Sequence, residues 1–236
     1  MSTHYGGKIY RNVAEITGPS GFYNVKTSLG TVVVYVNQSY DGGGWVLVLA
    51  NRSGTGGMNN LSYYNAVNKS TYRTSSTVTT APRGLGLADF NCWIGTKYWS
   101  ELAGRASAGK VTVVQYVSGT NGVELQEGHT KRYRWRFDSF TATYGFSGAT
   151  AISDETGTGT PGFYGYHAAN GFSLTTFDND QDVNGGNCST YYNNNPWWYG
   201  SCWSGNYFAG GGGYADAPYW DSSTTDYHQY GAVYIK

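Results

Sequence analysis

The stretch Phe177-Asp178-Asn179-Asp180-Gln181-Asp182-Val183-Asn184-Gly185-Gly186-Asn187-Cys188 constrains this chain most. It sets three of the fifteen acidic residues at alternate positions and follows them with two glycines and a cysteine. Carboxylates so spaced, with Asn and Gly behind them, let the backbone curl until side-chain and carbonyl oxygens converge on a hard cation that takes about six to eight oxygens. Read as a helix–loop–helix calcium motif from Asp180, the first half fits, with Asp182, Asn184 and Gly185 at the expected offsets. The second half does not, because Tyr191 stands where a bidentate Glu is required and the flanks are rich in Gly, Asn and Thr. Spacing alone leaves two readings open: a calcium loop of another kind, or solvated Asx-turns in which Asp and Asn bond their own backbone.

Cys202 follows Cys188 by fourteen residues, with Trp197, Trp198, Tyr199 and Trp203 between and beyond them. A bridge between the two cysteines would close a loop of about fifteen residues, for which the chain-entropy estimate is about 3 kcal/mol, and would brace the acidic loop. It would also imply oxidising surroundings at some stage. The third cysteine, Cys92, lies in the short apolar run Asp89-Phe90-Asn91-Cys92-Trp93-Ile94-Gly95 and reads as an inert core thiol.

Length and charge narrow the class further. A chain of 236 residues is ample for one large domain with a buried core. Formal charge is zero and charged residues make up only 13%, so no basic stripe offers itself to nucleic acid. No run approaches the roughly eighteen apolar residues of a membrane span, so no membrane insertion is expected. Thirty-five Gly and twenty-three Tyr, with abundant Asn, Ser and Thr, describe a loop-rich, largely β protein. Tyr and Trp provide rigid amphipathic contact area while Ser, Asn and Gly adapt their hydrogen bonds, a surface suited to recognition.

Strands are expected at Gly30–Val36 and Gly44–Ala50, joined through Tyr40-Asp41-Gly42-Gly43 as a hairpin, then at Val111–Val117, Tyr133–Phe137 and Gly231–Lys236. Helical signals are short, Tyr98–Ala103 being the best, and no repeat of fixed period occurs. From about Ser147 onward apolar periodicity fades, which marks a loop-dominated part that carries the site.

The order of these features resembles the fibrinogen-like domain of ficolins, tachylectins and fibrinogen C-terminal regions. The resemblance runs along nearly the whole chain. Gly18-Pro19-Ser20-Gly21-Phe22-Tyr23-Asn24-Val25 is similar to the opening segment, Asp41-Gly42-Gly43-Gly44-Trp45-Val46 to the Asp-Gly-Gly-Gly-Trp-Thr signature, and Phe90-Asn91-Cys92-Trp93-Ile94-Gly95 to Phe-Trp-Leu-Gly. Most specific is Asn170–Asp182 followed by Asn187-Cys188, Trp197-Trp198 and Cys202.

The resemblance implies an α+β fold with a central twisted antiparallel sheet, few short helices and a loop-rich C-terminal calcium and ligand subdomain. Residues 1–15 would form an N-terminal arm or anchor and 16–236 the domain. Its sheet-rich part would cover about 16–146 plus a C-terminal strand at 231–236, and its loop-rich part about 147–230. Structural Ca2+ would be held by the carboxylates of Asp180 and Asp182 and the carbonyls of Asn184 and Gly186, with water completing the shell. The Ser201-Cys202 peptide would be cis, although a non-proline cis bond costs about 3 kcal/mol. With Tyr192, Trp203, Tyr214 and Tyr227 it would form a pocket for acetyl groups. Two departures suggest altered specificity: the pocket histidine of the family is Trp203 here, and its N-terminal disulfide is absent, with Val34-Tyr35-Val36 where a cysteine is expected.

These features predict a lectin-like recognition or adhesion module for cell-surface glycan, acetylated sugars included. It would act as a homo-oligomer or in a virion-associated array, since weak single-site binding gains from avidity. Met1 and the lack of an apolar leader favour a virion surface protein, such as a phage fibre, tail or capsid decoration, over a secreted innate-immunity lectin. A purely structural decoration protein is a further alternative. A polysaccharide depolymerase would need two carboxylates about 5–10 Å apart across a cleft. Asp216, Asp221 and Asp226 are scattered through turn-rich sequence, and His4, His129, His167 and His228 have no metal-ligand spacing, so no catalytic residue is expected.

Overall fold

β-Branched and aromatic side chains fit a pleated, half-buried surface, and where they dominate this chain it pairs into one sheet. The computed structural model describes residues 4–39, 42–52, 92–103, 111–117, 131–140, 146–153, 172–192, 194–202 and 230–236. Nine strands are described: β1 (His4–Tyr10), β2 (Gly21–Thr27), β3 (Gly30–Asn37), β4 (Trp45–Arg52), β5 (Cys92–Trp93), β6 (Val111–Val117), β7 (Lys131–Phe140), β8 (Phe146–Ser153) and β9 (Tyr230–Ile235). They are ordered β1-β2-β3-β4-β9-β6-β7-β8, with β5 also paired to β4. Every pairing is antiparallel except that of β1 with β2. Among the described residues the α-helices are short: α1 (Trp99–Leu102) follows a 3-10 turn at Thr96–Tyr98, and α2 is Cys188–Tyr191. This is the expected α+β class.

Residues near the C-terminus hold the sheet's two halves together. In β9, Val233 faces Leu49 of β4 on one side and Val113 of β6 on the other. Trp45, Val46, Leu47, Val48 and Leu49 of β4 are all buried, so this central strand is covered on both faces. β2 instead alternates buried and less buried positions, with Tyr23, Val25 and Thr27 turned to the core. The outermost strand on that side is β1, built from residues expected to form an arm, and at the opposite edge β8 carries the sheet on to Ser153.

The turn leading into β4 accounts for the glycine triplet. Gly42, Gly43 and Gly44 have φ of 76°, 72° and 76°, a left-handed backbone that costs other residues about 1–2 kcal/mol each. A Cβ at Gly43 would also collide with the Gln38 side chain. Gln38 needs that room, since its Oε1 accepts from Gly44 N at 2.8 Å while its Nε2 donates to the Ile16 carbonyl at 2.6 Å.

One apolar cluster runs from the sheet into the loop-rich region. Trp93 lies 6.2 Å from Trp99, Trp99 lies 6.4 Å from Trp198, and Trp198 meets Trp197 edge-to-face at 5.2 Å, all between ring centroids. These four indoles are fully buried, and Leu174, Cys188 and Tyr199 belong to the same cluster. Each large aromatic removes 150–250 Å2 or so from water, so this row fastens the loops to the sheet.

Candidate functional site

A β-bridge starts the site. Thr175 and Trp197 exchange backbone hydrogen bonds of 2.9 and 3.1 Å, so the acidic loop leaves from a point fixed by the tryptophan row. Thr176 and Asn179 then close a tight turn by exchanging bonds of 3.0 and 3.1 Å, and Thr175 Oγ1 accepts from Gln181 N at 3.0 Å.

Beyond that turn the loop is a ladder of side-chain-to-backbone bonds two residues apart. Asp180 Oδ1 accepts from Asp182 N at 3.3 Å, Asp182 Oδ1 from Asn184 N at 2.9 Å, and Asn184 Oδ1 from Gly186 N at 3.2 Å. These are Asx-turns, the second of the two readings left open by the sequence. Turn and cation site are compatible, because each oxygen that holds an N–H keeps further lone-pair capacity. Asp182 reaches further, its Oδ2 accepting from Cys188 N at 2.9 Å. Asn187 caps α2, with Oδ1 accepting from Thr190 N at 3.4 Å while Nδ2 donates to the Thr176 carbonyl at 2.9 Å.

Cys188 and Cys202 form a disulfide with a Cα–Cα distance of 4.9 Å. Two more contacts tie the loop to the chain before and at Cys202: Val183 N donates to the Gly200 carbonyl at 3.4 Å, and Asn184 Nδ2 donates to Cys202 Sγ at 3.1 Å.

The Asp180 carboxyl is held above its ordinary value, first by partial desolvation and then by the neighbouring Asp182 charge and a hydrogen bond shared with that side chain, while the Asp182 N–H pulls the other way. A positive charge placed beside such a carboxyl would favour its ionised form. Among the described residues no group of three or more His, Cys, Asp and Glu side chains comes together. The side chains along the loop offer oxygen donors, the kind calcium takes, and offer zinc neither imidazole nor free thiolate.

The implied ligand pocket is described only in part. Tyr192 is half-buried, its ring stacked on buried Tyr199 at 5.6 Å and 19°, and burial raises its hydroxyl pKa. Tyr191, which the sequence reading noted only as a failed calcium position, is the exposed ring, 70% accessible, with its hydroxyl end over Gly186. Which of two adjacent tyrosines turns outward is set by the packing of Tyr199, which alternation in the sequence does not reveal. No cis peptide occurs among the described residues, so Ser201-Cys202 is trans, which corrects the implied cis bond. The chain turns there through Cys202 at φ 67°, in the left-handed region. Trp197 and Trp198 are core residues. Trp203, Tyr214 and Tyr227 lie outside the described residues, as do Asp216, Asp221 and Asp226, and so does the side chain of Cys92.

Similarity to solved structures agrees with this architecture. The chain resembles the fibrinogen-like globe domain of human ANGPTL6 at 21% identity, covering 99% of this chain and 97% of that one, with a TM-score of 0.57. It resembles the corresponding domain of human ANGPTL2 at 21% identity, covering 96% and 98%, with a TM-score of 0.58. A lamprey fibrin D-dimer, solved with the peptide Gly-His-Arg-Pro-amide, matches at 15% identity over 96% of this chain and 73% of that one, with a TM-score of 0.54. No family model and no curated protein matches the sequence. The chain has the fibrinogen-like fold.

Proposed function

We propose that this chain is a calcium-stabilised, lectin-like recognition module that binds carbohydrate on a cell surface without turning it over. The observation that carries the reading is the acidic loop: Asp180 and Asp182 stand two residues apart on a backbone organised by Asx-turns and stapled by the Cys188–Cys202 disulfide. Asp180, Asp182 and the carbonyls of Asn184 and Gly186 would hold calcium, which when bound neutralises the paired carboxylates and fixes the loop. Recognition would then fall to the aromatic and backbone groups around Ser201 and Cys202.

A single shallow sugar site repays little desolvation, so useful adhesion requires several copies. The setting we propose is therefore an extracellular surface bearing many copies, of which the virion surface is the first to test. The test is a glycan array probed with purified protein, once in millimolar calcium and once in chelator. Calcium-dependent binding to a defined glycan class, with no released product, supports the reading. Silence in both conditions from folded protein refutes it in favour of a structural or protein-binding role.

A further inference from the structure

Asn184 and Gly185 are both exposed in the middle of the acidic loop. Asn184 Oδ1 accepts from Gly186 N at 3.2 Å, so the ring of this Asx-turn folds the side-chain amide back over the Gly185 peptide. The Gly185 N–H donates to no group among the described residues, and a Cβ added at Gly185 would meet nothing within 4 Å. Asn184 Nδ2 is held by Cys202 Sγ at 3.1 Å, a weak acceptor. A nucleophile without a partner thus lies beside an amide whose oxygen is polarised and whose nitrogen is loosely held. We infer that Asn184-Gly185 is a self-modification site, at which the folded chain converts its own asparagine to aspartate and isoaspartate. The reaction needs no cation, so it stands whether or not the loop binds calcium.

The Gly185 nitrogen gives up its proton to water, and its electron pair attacks Asn184 Cγ. Negative charge collects on Oδ1, where the Gly186 N–H already donates and stabilises that charge as it develops. The Cγ–Nδ2 bond then breaks, Nδ2 leaves as ammonia with a proton from water, and a succinimide ring closes between residues 184 and 185. Water opens the ring at either carbonyl. Attack at Cγ gives aspartate, whereas attack at the Asn184 main-chain carbonyl gives isoaspartate, with the chain routed through the side-chain methylene. Water is consumed, ammonia is released, and no electrons are transferred.

Asn187 has the opposite arrangement within the same loop. Its Nδ2 donates to the Thr176 and Phe177 carbonyls at 2.9 and 3.3 Å, and the next nitrogen along the chain, Cys188 N, already donates to Asp182 Oδ2 at 2.9 Å. With leaving group and nucleophile both engaged, Asn187 persists. The two products at position 184 act differently on the loop. Aspartate keeps the oxygen that accepts Gly186 N, sets a third carboxylate in alternation with Asp180 and Asp182, and loses the donor to Cys202. Isoaspartate lengthens the main chain by a methylene and breaks the two-residue spacing on which the turns depend.

The test follows the intact oxidised chain, kept folded in buffer and sampled over weeks, by peptide mapping at acidic pH with fragmentation that separates aspartate from isoaspartate. Gly185→Ala places its methyl in open space on a backbone that is not left-handed, so it should fold as the parent does while crowding the attack on Cγ. The expected result is conversion of Asn184 to both products, about tenfold faster than any change at Asn187 in the same molecule and about tenfold faster than in Gly185→Ala. An Asn184 that persists as long as Asn187 overturns the inference, as does an equal rate in folded Gly185→Ala. Because Asn187 is read in the same molecule, the comparison decides the matter even where the variant does not fold.

Discussion

Asp182 accepts two backbone N–H groups and Asp180 accepts one, so the two acids are not equivalent. Asp182→Ala strands the Asn184 and Cys188 donors and should destabilise the calcium-free protein by about 2 kcal/mol, read from urea unfolding. Asp180→Asn should cost the calcium-free protein little and abolish its response to calcium. The acid response follows from Asp180. Because its carboxyl titrates above the ordinary value of 3.8, the folded state holds that proton more tightly than the unfolded chain does. Its contribution is therefore fully present below pH 3.8 and is lost as pH rises through the elevated value. Calcium-free protein should show this loss in thermal melts across that range, and saturating calcium or Asp180→Asn should remove it. A loss equally large in Asp180→Asn would show that another group is responsible.

The elements differ in how clearly the sequence announces them. β3 and β6 follow from runs of Val, Tyr and Thr, and the β3–β4 turn from consecutive glycines, because those local preferences agree with the sheet around them. β8, with Ser, Gly, Ala and Thr among its residues, and β1, with two glycines, are weak strand formers, held by neighbours rather than by propensity. In the site, the disulfide and the acidic loop were legible because cysteines and carboxylates carry their chemistry in their identity. The trans Ser201-Cys202 peptide and the outward turn of Tyr191 were not, since both depend on tertiary packing. Trp198→Ala should destabilise the fold by about 3–5 kcal/mol through the cavity it leaves. It should also loosen the acidic loop, seen as faster amide exchange at Gln181 to Cys188, whereas a change confined to the sheet would contradict the role assigned to the row.

Across the whole molecule, a mostly antiparallel sheet locked by β9 supports a row of indoles, and the indoles support a loop whose irregular backbone is fixed by side-chain turns and one disulfide. That arrangement gives the loops the rigidity of the sheet beneath them. The proposed function requires a cation to complete the loop. The direct measurement is thermal unfolding of the oxidised chain in chelator, in magnesium and in calcium, beside Asp180→Asn. At calcium about a hundredfold above its dissociation constant the expected stabilisation is about 2.7 kcal/mol, absent in magnesium and in the variant. Identical unfolding in all three conditions would contradict the account and leave the acidic run as Asx-turns alone.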